Sequence, residues 1–341
     1  MKLQKSSLLK LAIGAGILWA AKSWIRMRRS FDVEGKVIVI TGGTRGLGLS
    51  IARELASQKA KLAICSRNIE QLKDAEEELK DYGIDVLALR CDITKQRDVE
   101  EMMEQVYDHF GQIDVLINNA GIIEVGALDN QAKSDYEEAI RTHLYASIYT
   151  VYSALPYMRQ TGRGRIVNIS SIGGKVGVPH LAPYSASKFA LAGFSKTLRA
   201  ELLREGIIVT TVYPGLMRTG SPRNVTVKGQ HQKEYAWFKT SASLPLLTAS
   251  AENAALQIVS ALKTGRAELV ITLPAKLISI LDELFPELSA DFFALMNRFL
   301  PAASPEGQHS LGRKGYESES ADSQTVLSRS SGQAAVQNNE L

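Results

Sequence analysis

The sequence predicts a doubly wound α/β fold: a parallel seven-stranded sheet with helices on both faces, preceded by an N-terminal hydrophobic helix and followed by a disordered C-terminal tail. Three observations carry this reading. Short, continuously apolar runs alternate with longer amphipathic ones over residues 36–271, the pattern of buried strands and their crossover helices. A glycine-rich segment, Thr41-Gly42-Gly43-Thr44-Arg45-Gly46-Leu47-Gly48, joins the first strand to the first helix. From Ala302 onward the chain is rich in Ser, Gln, Asn and Gly, a composition that predicts disorder.

Lys36–Ile40 reads as the first strand and Leu47–Gln58 as its helix. Lys61–Cys65 is the second strand, and Ile69–Asp81 a charged amphipathic helix. Asp85–Leu89 is the third strand, followed by a helix over Arg97–Phe110. Val115–Ile117 gives the fourth, with two helical stretches across Lys133–Arg159. Arg165–Ile169 is the fifth, and a helix runs from about Ala182 to Arg204. Ile207–Val212 is the sixth strand, and Glu268–Ile271 closes the sheet as a seventh. Right-handed crossovers place every strand's C-terminal end on one rim, where ligands bind. Between Gly220 and about Leu247 the pattern loosens around Tyr235, Trp237 and Phe238. This excursion hangs over the rim either as a lid or as an exposed loop. Leu277–Leu300 is densely apolar in two pieces split at Pro286, an amphipathic helical pair for docking on the domain, a neighbour or a bilayer surface.

At 341 residues one α/β domain with extensions uses the length. The divisions are an apolar segment (1–30), the sheet domain (31–273), amphipathic helices (274–301) and the tail (302–341). A net charge of +4 is mild and gives no reason to invoke nucleic acid. Two cysteines, Cys65 and Cys91, make neither a disulfide framework nor a zinc site, and no metal is expected. They read as small buried hydrophobes at strand ends. Leu8–Ile25, interrupted only by Lys10, Lys22 and Ser23, would be roughly 27 Å long as a helix, close to the hydrocarbon thickness of about 30 Å. Arg26, Arg28 and Arg29 follow it, so a membrane anchor would leave the main domain in the cytoplasm. A cleaved signal peptide, an interfacial helix and a buried helix are the other readings.

The chemistry gathers around three side chains. Tyr184 and Lys188 follow Ser171 by thirteen and seventeen residues, and their four-residue spacing puts them on one helix face. A phenol beside an ammonium can exchange a proton with a carbonyl oxygen, while a serine hydroxyl orients and polarises that carbonyl. The glycine turn (Gly42, Thr44, Arg45, Gly46, Leu47 and Gly48) offers a helix N-terminus to phosphate, so a dinucleotide and hydride transfer are implied. That reading requires the space over the turn to be open to the cofactor. Ser66 and Arg67 end the second strand where NAD sites carry an acid, and Arg45 lies in the turn. Two guanidiniums there suit a 2′-phosphate and favour NADP(H) over NAD(H); solvated surface charges are the alternative. Asp92 and Ile93, past the third strand, either meet the adenine or begin a helix. Asn119, Ala120 and Gly121 pass under a cofactor, and Asn118 braces neighbouring strands.

From about Gly35 to Gly220 the chain resembles the classical short-chain dehydrogenase/reductases, whose fold is of the Rossmann type. The resemblance rests on Thr41–Gly48, Asp92, Asn118–Gly121, Ser171, Tyr184, Lys188 and Pro214-Gly215-Leu216-Met217-Arg218-Thr219. It implies that Pro214, Gly215, Leu216 and Thr219 meet the nicotinamide end, and that Tyr184 and Lys188 also touch the cofactor. It further implies a homodimer or homotetramer formed through the helix bearing Tyr184. One departure stands out: family members carry an asparagine that holds a relay water where this chain has His143. The histidine would hold that water, or relay protons itself with a pKa near 6.5, or mark a weakened relay. The expectation is a membrane-associated, NADP(H)-dependent oxidoreductase interconverting a carbonyl and a secondary alcohol on a lipophilic substrate such as a steroid, retinoid or long-chain ketone. Its rivals are a low-turnover NADP(H)-binding sensor or scaffold, and an acyl thioester or enoyl reductase.

Overall fold

Each strand of the central sheet feeds two cores at once, because successive side chains point to opposite faces. In β1 (Val37–Thr41), Ile38 and Ile40 enter one apolar cluster while Val37 and Val39 enter the other. The computed structural model describes residues 28–243, 248–320 and 329–340. The remaining strands are β2 (Lys61–Ser66), β3 (Val86–Arg90), β4 (Val115–Asn118), β5 (Gly164–Ile169), β6 (Ile207–Pro214) and β7 (Glu268–Ile271). They pair in the order β7-β6-β5-β4-β1-β2-β3, all parallel. The order reverses between β1 and β4, which opens a crevice at their C-terminal ends.

One face is covered by α1 (Gly46–Ser57) and α2 (Ile69–Lys80), the other by α3 (Gln96–Phe110). Asn68 caps α2 by accepting from the amides of Glu70 and Gln71 at 2.9 and 3.1 Å. The stretch across Lys133–Arg159 resolves into α4 (Lys133–Ile140), a π turn (Arg141–Tyr145) and α5 (Ala146–Thr161). A π turn inserts an extra residue into the hydrogen-bond ladder, and this one carries His143 inward. Helix α6 (Ala182–Leu202) buries Leu191, Leu198 and Leu202 and carries Tyr184 and Lys188 at its start.

The excursion after β6 is more ordered than its composition suggests. It contains α7 (His231–Ser243), whose buried side is Glu234, Tyr235, Phe238, Lys239 and Ala242. Tyr235 and Phe238 form a small apolar core over the rim with Val125, Leu181, Val225 and Val227, against which Tyr184 and Trp237 pack. Helix α8 (Ala251–Lys263), capped by Ser250, then returns to the core beside α1.

Beyond β7, α9 (Leu273–Leu284) and α10 (Pro286–Asn297) form the helical pair broken at Pro286. Much of the pair's apolar surface faces outward; Leu277 is 60% exposed and Phe299, just past α10, 82%. Among the described residues no helix is long and apolar enough to cross a membrane. The apolar segment Leu8–Ile25 lies outside the described residues.

The tail differs from the disorder its composition predicts: residues 302–320 and 329–340 lie on the domain. Asn130 anchors the first part, donating to Ser304 Oγ and the Gly307 carbonyl, each at 3.0 Å. Arg313 and Lys314 pair antiparallel with Val227 and Thr226. A last helix, α11 (Arg329–Gln337), brings Asn338, Asn339 and Glu340 to the glycine turn. These contacts are largely hydrogen bonds, for which an apolar-periodicity reading has no signal.

Candidate active site

The C-terminal rim gathers the reactive side chains from β5 and α6. Ser171, just after β5, is buried, and its Oγ accepts from the Gly173 amide at 3.1 Å, starting the short helical turn Ile172–Gly174. Gly174 is required there, because a Cβ would stand 2.6 Å from the Lys188 carbonyl oxygen and 2.3 Å from Ser170 Oγ. Pro183 in the first turn of α6 starts the helix, so Tyr184 and Lys188 project one turn apart toward Ser171. Lys188 Nζ donates to the Ile169 carbonyl at 3.0 Å and lies 5.7 Å from the centre of the Tyr184 ring. The three residues expected to act together are therefore together.

Their protonation follows from burial. Desolvation raises the Tyr184 pKa above its ordinary value, and the hydrogen bond with Ser171 only partly opposes it. Burial lowers Lys188 to about 7. The phenol is therefore neutral in this structure.

His143 corrects the expectation of a titrating relay. It is fully enclosed, and burial first, then the charge of Lys188, holds its pKa well below the ordinary value despite the Ile122 amide. Nε2 accepts from the Ile122 amide at 3.1 Å, so Nδ1 carries the proton and donates to Ser187 Oγ at 2.7 Å. Ser187 in turn donates to the Tyr184 carbonyl at 2.8 Å. Both ring nitrogens are committed, and the neutral ring braces the loop after β4 against α6. Ser187 was missed in the sequence, although its place three residues after Tyr184 on the same helix could have singled it out.

The residues expected to hold a cofactor line the same rim. Gly42 and Gly46 take φ of 65° and 55°, and Gly48 allows α1 to approach, since a Cβ would meet the Gly42 carbonyl oxygen at 2.0 Å. Asn119 fastens the turn to β4: its side-chain amide donates to the carbonyls of Thr41 and Gly42, both at 3.1 Å. Thr41 Oγ1 accepts from the amides of Asn119 and Ala120 at 3.0 and 3.1 Å. Gly121 lies against His143. Asn118 donates to Asn168 Oδ1 at 2.9 Å, the bracing role expected of it. Asp92 is turned to its own chain, accepting from the Thr94 amide and hydroxyl at 3.2 and 2.8 Å, and Ile93 packs on the core. Ser66 Oγ accepts from the Asn68 amide at 3.2 Å and leaves Arg67 exposed. Arg45 is partly buried, and both this burial and the field of Arg67 lower its pKa while Glu340 raises it. Pro214 ends β6, Gly215 donates to the Ile271 carbonyl at 3.1 Å, Leu216 accepts from the Ala249 amide, and Thr219 is buried.

The space over the turn is not open, as the sequence reading required. The Asn338 carbonyl accepts from the Gly46 amide at 2.8 Å, and the Glu340 carboxylate accepts from the Gly220 amide. A carboxylate held by the Gly220 amide and the Ser221 hydroxyl, beside a helix N-terminus and Arg45, shows that these donors suit an anion, so the residues fit the phosphates of a dinucleotide.

A doubly wound sheet with a glycine turn, a serine, and a tyrosine–lysine pair on one rim defines an oxidoreductase that exchanges a carbonyl and an alcohol with a nicotinamide cofactor. The chain belongs to the short chain dehydrogenase family, whose sequence profile matches residues 36–228. It is 37% identical over 199 residues to the human 3-oxoacyl-[acyl-carrier-protein] reductase, covering 58% of this chain and 82% of that one. Among solved structures, L-sorbose reductase from Gluconobacter frateurii, complexed with NADPH and L-sorbose, matches with a TM-score of 0.63 and 26% identity over 71% of this chain and 97% of that chain. The actinorhodin polyketide ketoreductase with NADPH matches with a TM-score of 0.62 and 31% identity over the same shares.

Proposed function

We propose that the chain is an NADP(H)-dependent oxidoreductase acting on a lipophilic ketone or its secondary alcohol, such as a steroid, a retinoid or a long-chain ketone. The observation that carries this reading is the company Tyr184 keeps: it packs against the apolar rim core of Leu181, Tyr235 and Phe238, with Val178 and Trp237 beside it. A carbonyl presented to the phenol would leave the rest of its carbon skeleton among those side chains. The 3-oxoacyl group in the human relative's name is a ketone of that kind. Arg45 and Arg67 support NADP(H), as do the NADPH complexes of the sorbose reductase and the ketoreductase.

A dihydronicotinamide held over the glycine turn would supply the hydride. Ser171 orients the carbonyl by donating to its oxygen, and Tyr184 gives its proton to that oxygen, completing the alcohol. Lys188, fixed by the Ile169 carbonyl, lies close enough to favour the phenolate left behind, which takes a proton back from solvent after the alcohol leaves. In oxidation the same proton returns to Tyr184. Exposed apolar surface on α9 and α10, together with the apolar segment Leu8–Ile25, supports attachment to the cytoplasmic face of a membrane. A screen of ketones and alcohols with NADPH and NADH tests the reading. Turnover of apolar ketones with NADPH is expected; activity confined to small polar polyols, or equal use of both cofactors, would overturn it.

A further inference from the structure

The segment ending at Glu340 is built into the glycine turn through specific donors. Asn339 takes φ of 52°, which bends the chain out of α11 so that Glu340 folds back and its amide donates to the Ala335 carbonyl at 2.9 Å. The segment then makes three kinds of contact. The Asn338 carbonyl takes the Gly46 amide at the start of α1, and Asn338 Oδ1 accepts from Ser50 Oγ and Arg53 Nη1, each at 3.1 Å. Asn339 Nδ2 donates to the Thr44 carbonyl at 3.2 Å. The Glu340 carboxylate accepts from the Gly220 amide and from Ser221 Oγ, the latter at 3.2 Å, and lies in the field of Arg45.

Asn338 is 1% exposed and Glu340 5%. A Cβ on Gly46 would stand 3.0 Å from Glu340 Oε1, so the carboxylate fills the space directly above the turn. That is where a pyrophosphate must lie to reach the α1 amides. Two anions cannot share it. The docking is also costly for the carboxylate: burial pushes Glu340 up to about 7, although the Gly220 amide, Arg45 and Ser221 all pull it down. A group held at such expense is a ligand that a better-matched phosphate can replace.

We propose that residues 334–340 are an internal ligand of the nucleotide cradle, with Glu340 standing in for a phosphate, and that a dinucleotide binds only by displacing them. The proposal rests on the cradle being a nicotinamide site. Its physical consequence is that apparent cofactor affinity equals intrinsic affinity reduced by the fraction of molecules whose segment is undocked.

The test compares the full chain with Glu340→Ala and with a chain ending at residue 333. NADPH and NADH affinities are measured by titration calorimetry. Hydrogen exchange at Asn338–Glu340 is followed in the full chain with and without saturating NADPH. The expected results are cofactor binding at least about tenfold tighter in both variants, as when the competent fraction rises from about a tenth to nearly all, and faster exchange at those amides when NADPH binds. If the truncated chain misfolds, Glu340→Ala and the exchange experiment still decide. Equal affinities in all forms, or exchange protection unchanged at saturation, overturn the proposal while leaving the cofactor reading intact. Binding of neither dinucleotide to any form overturns both.

Discussion

His143 Nδ1 lies 2.7 Å from Ser187 Oγ, so the residue in place of the family's relay asparagine is fastened to the helix that bears Tyr184. Its Nε2 holds the Ile122 amide on the other side. The ring therefore sets the distance between the loop after β4 and the start of α6. His143→Ala leaves that part-buried amide without its partner, a loss of about 1 kcal/mol. We expect a lower denaturation midpoint together with a reduced kcat. His143→Asn, too short to span both partners, should also lose activity; a gain in kcat would identify the histidine as a degraded relay instead.

With Tyr184 as the proposed proton donor, its removal should separate chemistry from binding. Tyr184→Phe keeps the ring against Leu181 and Trp237 but has no proton to give. The expected loss is roughly 10²–10⁴ in kcat, the usual contribution of a positioned acid. NADPH affinity should be unchanged in a direct titration. Retention of full turnover would remove the tyrosine from the mechanism.

The sheet and the reactive trio were legible because each follows a local rule. Alternating burial of Val37, Ile38, Val39 and Ile40 needs only the strand period, and the Tyr184–Lys188 spacing needs only the helix period. What escaped depends on partners distant in the chain. Helix α7 looked like loop because two residues of its buried side are Glu234 and Lys239. Both are satisfied elsewhere, by His180 at 2.8 Å and by Glu319 at 2.9 Å. The tail escaped for a related reason: Asn130, Arg53 and the Gly46 amide hold it through polar groups that no composition measure associates with packing. The tautomer of His143 likewise becomes fixed only when Ile122 and Ser187 are placed around it.

Arg67 offers a clean handle on cofactor choice, since it is exposed at the end of β2 and its replacement disturbs no packing. Arg67→Asp removes a cation and installs an acceptor for ribose hydroxyls. Loss of a charged hydrogen bond worth about 1.5–3 kcal/mol predicts a roughly ten- to hundredfold fall in NADPH affinity. NADH affinity should hold or improve. An unchanged NADPH/NADH ratio would place Arg67 outside the cofactor site.

Lys188 links the site to stability. Burial lowers its pKa from the ordinary 10.5 to about 7. Between those values the unfolded chain binds a proton at this lysine that the folded chain does not. Stability contributed through this group therefore rises as pH increases across that window, and is flat below about 7, where both states carry the charge. Other groups titrate in the same range, so the informative quantity is the difference between wild type and Lys188→Met, whose side chain fills similar space without titrating. The wild-type urea midpoint should fall relative to that of Lys188→Met as pH drops from 9 toward 7, because the wild type alone bears the penalty of a buried ammonium. Parallel curves across that range would mean that the ammonium keeps an ordinary pKa, and that its bond to the Ile169 carbonyl compensates for burial far more than the geometry indicates.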